Sequence, residues 1–247
     1  MISSKADFPE NSELPLISRL LVNKANSDWL KEKQRVTYDE YRKFAAEFLK
    51  NDSVKHSIRH VDKAALDEII AKCHENKVTV NDYLAAKMFI EDETDKIIIA
   101  CDLRERLSVY RPGAMGNYST AFSIVLKKKN ADLFSAAKKV HELVQKKLNN
   151  PSDLFLVLQC YAALDAGVID AACISCRGNF KSRAGKFVGS MFFGLDAPRG
   201  YSITNLGRLE CRNIESACFI PPASPAMRKT QGVLTVNGKL TVCSSER

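Results

Sequence analysis

Long hydrophobic runs are absent from this sequence of 247 residues, in which 45% of residues are hydrophobic and 27% are charged. No stretch approaches the roughly 18 consecutive apolar residues that a membrane-spanning helix needs. The first twenty residues carry Asp7, Glu10 and Glu13 and lack the apolar core of a signal peptide. We therefore expect a cytoplasmic globular protein without a membrane span, long enough to bury a substantial core.

Histidine is also scarce, and its spacing does not indicate a metal site or a catalytic centre. His56 and His60 lie in a strand-like pattern with no cysteine or carboxylate at ligand spacing beside them. His74 comes at the end of a predicted helix, where it can interact favourably with the helix dipole. His141 lies between lysines in another predicted helix and is predicted to be exposed. We predict no metal site.

One Cys-x-x-Cys pair, Cys173 and Cys176, could bind zinc or act in redox chemistry. A zinc ribbon needs a second pair, however, and a thioredoxin-like site needs a strand before the motif and a helix after it. Neither context is present, so we predict structural thiols. The eight cysteines mostly lie in apolar stretches, which is typical of buried, reduced thiols. Nucleophile-elbow and Walker A strings are absent as well.

Positive charge is in excess, since 37 lysines and arginines against 29 acidic residues give a net charge of +8. Three lysine runs lie on or beside one predicted helix, at residues 127–129, 138–139 and 146–147. Two interpretations stay open. The runs form either a solvated helix face or a surface for coenzyme A or phosphopantetheine, an acidic carrier protein or nucleic acid. The sequence has no zinc-finger spacing and no aromatic-rich basic strand, which disfavours nucleic acid.

Hydrophobic periodicity predicts a mixed α/β sandwich without an internal repeat. Helices are predicted over residues 17–29, 37–48, 62–73, 79–89, 132–148 and 153–175, the last with a break near Gly167. Thr37 and Thr79 each begin a capping-box pattern. Strands are predicted over residues 53–61, 96–103, 118–126, 187–195, 201–204 and 216–220. Asn237-Gly238 between two alternating runs predicts a terminal hairpin.

Four short segments occur in an order that resembles the C-terminal half of the condensation-domain and alcohol O-acetyltransferase superfamily. They are Thr-x-Asn at residues 79–81, Asp102-Leu103-Arg104, Gly116-Asn117-Tyr118, and the segment 202–207 that precedes the hairpin. The resemblance implies the C-terminal half of a chloramphenicol-acetyltransferase-like two-layer sandwich, with a mixed, largely antiparallel sheet and packed helices. It also implies a helical lead-in over residues 1–52, part of the same unit, and an acyltransferase-like subdomain over 53–247.

In that family two subdomains face each other across a channel, where a histidine deprotonates the acceptor and polar groups hold the oxyanion formed from a thioester. The resemblance implies that this chain lines the channel with Gly116, Asn117, Tyr118, Ser202, Thr204, Asn205 and Gly207. The polar members after residue 201 could orient substrate or could simply end a strand, and both interpretations stay open. Asp102 and Arg104 are interpreted as a structural ion pair that holds the loop to Gly116, and Gly116 as the site of a tight backbone approach.

The catalytic string of that family, His-His-x-x-x-Asp-Gly, belongs to its N-terminal half and is absent here. We therefore predict no catalytic residue and no tightly bound cofactor, with acyl-coenzyme A or a phosphopantetheine thioester as the substrate. The first hypothesis is a truncated or separate acyltransferase half, active only with a histidine-bearing N-terminal half or partner subunit. The second is a non-catalytic module that docks an acyl carrier protein or completes a partner subunit. In both cases an apolar wall would favour self-association or a partner.

Overall fold

The computed structural model describes residues 13–108, 110–116, 118–127 and 132–247. Eight helices lie within these residues: α1 (Leu16–Glu32), α2 (Tyr38–Asn51), α3 (Lys63–Glu75), α4 (Val80–Glu91), α5 (Leu133–Leu148), α6 (Pro151–Ala163), α7 (Ala166–Arg177) and α8 (Arg183–Met191). Six strands accompany them: β1 (Lys55–Val61), β2 (Lys96–Asp102), β3 (Ser119–Val125), β4 (Gly200–Leu209), β5 (Met227–Val236) and β6 (Lys239–Glu246).

Side-chain caps begin the helices where the sequence predicts them. The Thr37 hydroxyl accepts a hydrogen bond from the backbone N–H of Glu40, whose carboxylate accepts one from the N–H of Thr37. Thr79 and Asp82 form the same reciprocal pair at the start of α4. Such caps satisfy N–H groups that have no partner inside the helix. Both predicted capping boxes are confirmed.

The six strands form one mixed sheet in the order β1-β6-β5-β4-β2-β3. The β5/β4 and β4/β2 pairs are parallel, and the other pairs are antiparallel. Asn237 and Gly238 turn β5 into β6 with φ of 49° and 78°, as the predicted hairpin requires. Strands β1, β2, β4 and β5 therefore all end at one side of the sheet, the carboxyl edge, where β3 and β6 begin.

Helices and an irregular segment cover opposite faces of the sheet. Leu240 and Val242 of β6 belong to the larger hydrophobic core, which includes side chains of α3, α4, α5 and α6. The Thr241 hydroxyl, on the other face of β6, donates to the carbonyl of Ala217 at 2.8 Å. Helices α1, α6, α7 and α8 share a second core around Trp29. The sequence-based boundary at residue 52 stays a prediction.

The predicted strand over residues 187–195 is wrong, because these residues lie in helix α8 and the turn after it. The Ser182 hydroxyl caps the helix by accepting from the N–H of Gly185 at 2.8 Å. A Cβ on Gly185 would lie 3.0 Å from the carbonyl oxygen of Ala171, and one on Gly189 would lie 2.7 Å from that of Ala172. Glycine thus lets α8 approach α7 closely, and this tertiary contact overrides the strand-like apolar run.

The predicted strand over residues 216–220 is also wrong, since this segment has no regular secondary structure. The segment lies across the sheet instead of joining it. The Ser245 hydroxyl donates to the carbonyl of Pro221 at 2.8 Å, and the Phe219 carbonyl oxygen would lie 2.4 Å from a Cβ on Gly232. Pro221 and Pro222 follow directly and lack the N–H groups that a strand ladder uses.

Candidate functional site

Two of the segments that carry the resemblance, residues 102–104 and 202–207, lie at or near the carboxyl edge. Parallel strands β2 and β4 pair only at Ile98↔Ser202 and Ile99↔Ile203, so the ladder between them stops before either strand ends. Asp102 ends β2 at this edge, and Tyr118 immediately precedes β3 beside it. In open α/β sheets, ligands bind outside the carboxyl ends of the strands. We therefore regard this edge, between the ends of β2 and β4, as the candidate site.

The hydroxyl of Ser202 contributes to the sheet. Its Oγ donates to Thr230 Oγ1 of β5 at 3.0 Å, which joins two neighbouring strands on one face. Thr204 follows two residues later, half-buried and opposite Gly232, where Phe219 and Pro221 of the irregular segment lie close to the sheet. Thr204 is therefore the second hydroxyl on the face of β4 that this segment covers.

Asn205 and Gly207 form a bulge within β4, and the strand does not end there. The register shifts between Asn205 and Arg208, and β4 continues to Leu209. Asn205 Oδ1 accepts from the N–H of Gly207 at 2.8 Å, and Gly207 has φ of 83°. Bulges bend a strand and re-aim its side chains. Because Oδ1 is occupied, the Nδ2 group of Asn205 is the part of the side chain that can donate to a ligand.

Asp102 and Arg104 contact each other, as an exposed ion pair at 3.4 Å. The Asp102 carboxylate also accepts from the backbone N–H of Arg104 at 2.9 Å, at the start of a single 3-10 turn over Arg104–Arg106. Exposed pairs of this kind contribute little to stability. A backbone hydrogen bond from Leu103 N–H to the Tyr118 carbonyl, at 2.8 Å, joins this turn to the residue before β3.

Gly116 accommodates an aromatic ring. A Cβ at Gly116 would lie 3.0 Å from the ring of Tyr118. The group that approaches Gly116 closely is therefore a side chain, whereas the sequence predicts a close approach of backbone. The Tyr118 ring also packs edge-on against Tyr110, with ring centroids 5.1 Å apart. Asn117, the remaining predicted channel residue, lies outside the described residues.

Within the described residues, none of the four histidines lies between the ends of β2 and β4. His56 and His60 lie on β1, three strand spacings or about 14 Å from β4. Cys101, the thiol nearest the end of β2, donates to the carbonyl of Asp102 at 3.4 Å. Burial raises the pKa of the Cys101 thiol, which keeps it protonated and weakly nucleophilic.

The Cys173-x-x-Cys176 pair lies on α7 and has no metal-binding partners. Within the described residues no group of three or more histidine, cysteine or acidic side chains could hold a metal ion. Burial raises the pKa of the Cys173 thiol, and Cys176 Sγ donates to the carbonyl of Lys186 at 3.5 Å. Both thiols are free, and their surroundings fit a packing role between α7 and α8.

His141 was predicted to be exposed, and this is wrong, because it is half-buried against α4. Its Nδ1 lies 2.8 Å from Oδ2 of Asp82, whose side chain is 3% exposed. Asp82 also accepts from the Thr79 hydroxyl at 2.7 Å as part of the capping box. The capping pattern identifies Asp82, but the contact spans 59 positions of sequence and has no local signal. The pair joins α4 to α5.

Apolar side chains are exposed on the first two helices. None of the residues of α2 is buried. Seven large apolar side chains on α1 and α2 are between 54% and 76% exposed: Leu16, Ile17, Leu20, Leu30, Tyr38, Tyr41 and Leu49. We call these seven the α1–α2 apolar set. Exposed apolar groups in such number mark interaction surfaces in folded proteins.

The apolar character continues from α1 onto α8. Ala184 N–H donates to Glu32 Oε1 at 2.8 Å, and Lys24 Nζ lies 5.3 Å from the centre of the Phe187 ring, so α1 and α8 run antiparallel. A shallow cleft of about 430 Å³ follows α8, lined by Arg183, Lys186, Phe187, Ser190 and Met191.

Within the described residues no single helix is long and apolar enough to cross a membrane. Helices α6 and α7 reach that length and hydropathy only when taken together, and a bend of 98° separates them.

Neither family models nor curated proteins match the sequence, but 120 chains of solved structures match the fold. A nonribosomal peptide synthetase, FmoA3, aligns with a TM-score of 0.50 and 10% identity over 79% of this chain and 19% of that chain. Polyketide synthase associated protein 5 from Mycobacterium tuberculosis aligns with a TM-score of 0.49 and 15% identity, over 78% of this chain and 48% of that chain. A structure that describes condensation domain-mediated chain release from the enacyloxin polyketide synthase aligns with a TM-score of 0.47 and 11% identity. The alignment covers 78% of this chain and 36% of that chain.

This chain therefore has a condensation-domain-like, acyltransferase-type fold, as the resemblance in its sequence predicts. At these identities the comparison concerns the fold alone. The chain spans about half or less of the length of each of these three structures.

Proposed function

We propose that this chain forms one wall of a channel for thioester-dependent acyl transfer and that a second protein body supplies the proton acceptor. The α1–α2 apolar set carries this proposal, because a helix without one buried side chain needs a partner to cover it. The acyltransferase-type fold supports the reaction class. Acyl-coenzyme A or a carrier-linked phosphopantetheine thioester is the proposed donor, and an alcohol or amine the acceptor.

The chemistry divides between the two bodies. The partner's histidine takes the proton from the acceptor, which attacks the thioester carbonyl and forms a tetrahedral oxyanion. The carbon–sulfur bond then breaks and the thiolate leaves with a proton. The part proposed for this chain is orientation. Asn205 Nδ2 is the proposed donor, on β4 where the bulge bends it, and donors aimed at an oxyanion stabilise the transition state.

Complementation tests this proposal. We mix the chain with a histidine-bearing N-terminal half of a condensation-type acyltransferase, add an acyl-coenzyme A and an alcohol, and follow release of the coenzyme A thiol. Thiol release should require both halves. Asn205→Ala should lower it about 100-fold, whereas Asn213→Ala, in an exposed turn, should leave it unchanged. Complex formation without thiol release would contradict the catalytic role.

The partner surface is tested separately. Tyr38→Asp with Leu49→Asp should weaken binding of the N-terminal half, because each change places a charge in an apolar contact. Ile220→Asp is the matched control, since Ile220 is 49% exposed but lies on the irregular segment. Equal effects of the two variants would argue against α2 as the contact.

A second candidate function is docking of an acidic carrier protein without catalysis. Lysines of α5 favour it, since Lys138, Lys139 and Lys146 are exposed on one helix. Residues 128 and 129 of the first lysine run lie outside the described residues. Docking through these lysines predicts carrier affinity that falls steeply as salt rises, measured by calorimetry. Affinity that is indifferent to salt would remove the lysines from this account.

A further inference from the structure

Strand β1 lies at one end of the sheet with a regular, open edge. Its seven residues pair with β6 without a bulge, from Lys55↔Glu246 to Val61↔Leu240. Within the described residues β6 is the only strand that pairs with it. The hydrogen-bonding groups on its outer side therefore point away from the sheet, as they do in any edge strand.

The two faces of β1 are uncovered as well. Residues 55–60 are all exposed, and Ile58 in the middle is 47% exposed. Strand β3, at the opposite end of the sheet, differs because Thr120, Phe122 and Ile124 are buried beneath helices. An added strand at β1 would thus meet both backbone and side chains.

The charge of β1 has one sign. Lys55 and Arg59 point to one face, His56 and His60 to the other, and the strand has no acidic residue. Glu246, opposite Lys55, is held by Lys229 at 3.1 Å. Charged side chains protect edge strands from pairing with each other. A second copy of β1 would bring like charges together, whereas an acidic segment would meet opposite charges.

We propose that β1 binds an extended acidic segment of another protein, which adds to the sheet as a seventh strand. Backbone hydrogen bonds to the open edge supply affinity, and Lys55 and Arg59 select acidic side chains. This surface is independent of the α1–α2 apolar set, so the proposal goes beyond the function proposed above.

Titration with short peptides, followed by NMR of the labelled chain, tests the proposal. The probe is an extended peptide of alternating glutamate and valine. Two controls are the same peptide with alternate backbone nitrogens methylated and a peptide with lysine in place of glutamate. Binding of the acidic probe should shift and protect the amides of residues 55–61. Both controls should bind about tenfold more weakly, a difference of about 1.4 kcal/mol.

A charge-reversal variant completes the test. Lys55→Glu with Arg59→Glu should weaken the acidic probe about tenfold and favour the lysine peptide, with folding unchanged because both side chains are exposed. Lys138→Glu with Lys146→Glu makes the same change of net charge on α5 and should leave binding unaltered. Shifts at β3, insensitivity to methylation, equal loss in both variants, or pairing of two copies through β1 would each overturn the proposal.

Discussion

At the scale of single residues, the conformation of Gly207 shapes the candidate site. Its φ of 83° lies in the left-handed region, and no atom approaches within 4 Å of the place a Cβ would occupy. Backbone conformation, and not space, therefore requires glycine here. The bulge that results bends the part of β4 that carries Thr204 and Asn205.

We expect Gly207→Ala to lower the free energy of unfolding by about 1 kcal/mol, the usual cost of a left-handed alanine. Gly207→Asn should cost less, because asparagine tolerates this conformation. Urea denaturation measures both. Equal stability of the alanine variant and the parent protein would contradict a requirement for glycine in the bulge of β4.

Among the described residues, Lys229 near the start of β5 makes the most buried of the lysine ion pairs. Its Nζ lies 2.9 Å from Asp92 and 3.1 Å from Glu246, and the Lys229 and Asp92 side chains are 18% and 16% exposed. Burial by itself would lower the pKa of Lys229, but the hydrogen bonds to Asp92 and Glu246 and their charges raise it above its usual value. The folded state thus binds this proton more tightly than the unfolded state does.

A raised pKa gives stability that is complete below the unfolded value, about 10.4, and is lost as pH rises through the folded value. We expect Lys229→Met to lower stability at neutral pH by about 2 kcal/mol, because it leaves Asp92 without its cation. The variant should also lose the steep decline above about pH 10.4. Thermal unfolding across alkaline pH measures this. Lys139→Met, which breaks an exposed pair with Glu142, should change neither the stability at neutral pH nor its decline at alkaline pH.

At the scale of elements, contacts between helices decide what local pattern leaves open. Helix α8 reads as a strand in sequence because residues 187–195 form an almost continuous apolar run. Its glycines, spaced four residues apart, face α7 and replace side-chain contacts with backbone contacts. Helical spacing of Gly185 and Gly189 is the signal that could have identified it.

Gly189→Ala tests this packing. In an exposed helix the change would add stability, but here the new Cβ would lie 2.4 Å from Cys176 Sγ and 2.7 Å from the Ala172 carbonyl oxygen. We expect a net loss of about 2 kcal/mol from overpacking, measured by chemical denaturation. Ser190→Ala, at the next position of the same helix, should be close to neutral. A stabilised Gly189→Ala would mean that α7 and α8 do not pack as described.

At the scale of the whole molecule, the two cores differ in how completely they shield their helices. Helices on one face and the irregular segment on the other bury most of β5 and β6. Helices α1 and α2 instead leave the α1–α2 apolar set in contact with solvent. Exposed apolar area associates when concentration allows, and the sequence-based hypothesis of a partner stays a prediction.

We expect the chain alone to self-associate as concentration rises, measured by sedimentation velocity. Tyr38→Asp with Leu49→Asp should shift the association to about tenfold higher concentration, since two apolar contacts are lost. Ile220→Asp should have no effect. A chain that stays monomeric at every accessible concentration would contradict this prediction.

Local sequence alone was sufficient for the elements whose signals are local. Capping pairs span three residues, the hairpin turn spans two, and the helical spacing of apolar residues identifies α1 to α5, so all of these could be predicted from neighbouring residues. The order of four segments along the sequence likewise predicted the acyltransferase-type fold; they lie at residues 79–81, 102–104, 116–118 and 202–207.

Only the tertiary structure decided where the candidate side chains lie. Ser202 is engaged with Thr230, Asn205 belongs to a bulge, and Asp82 meets His141 across 59 residues. In the tertiary structure residues 187–191 are helical, and residues 216–220 lie outside the sheet. Each of these outcomes depends on partners distant in sequence, and periodicity reports only on near neighbours.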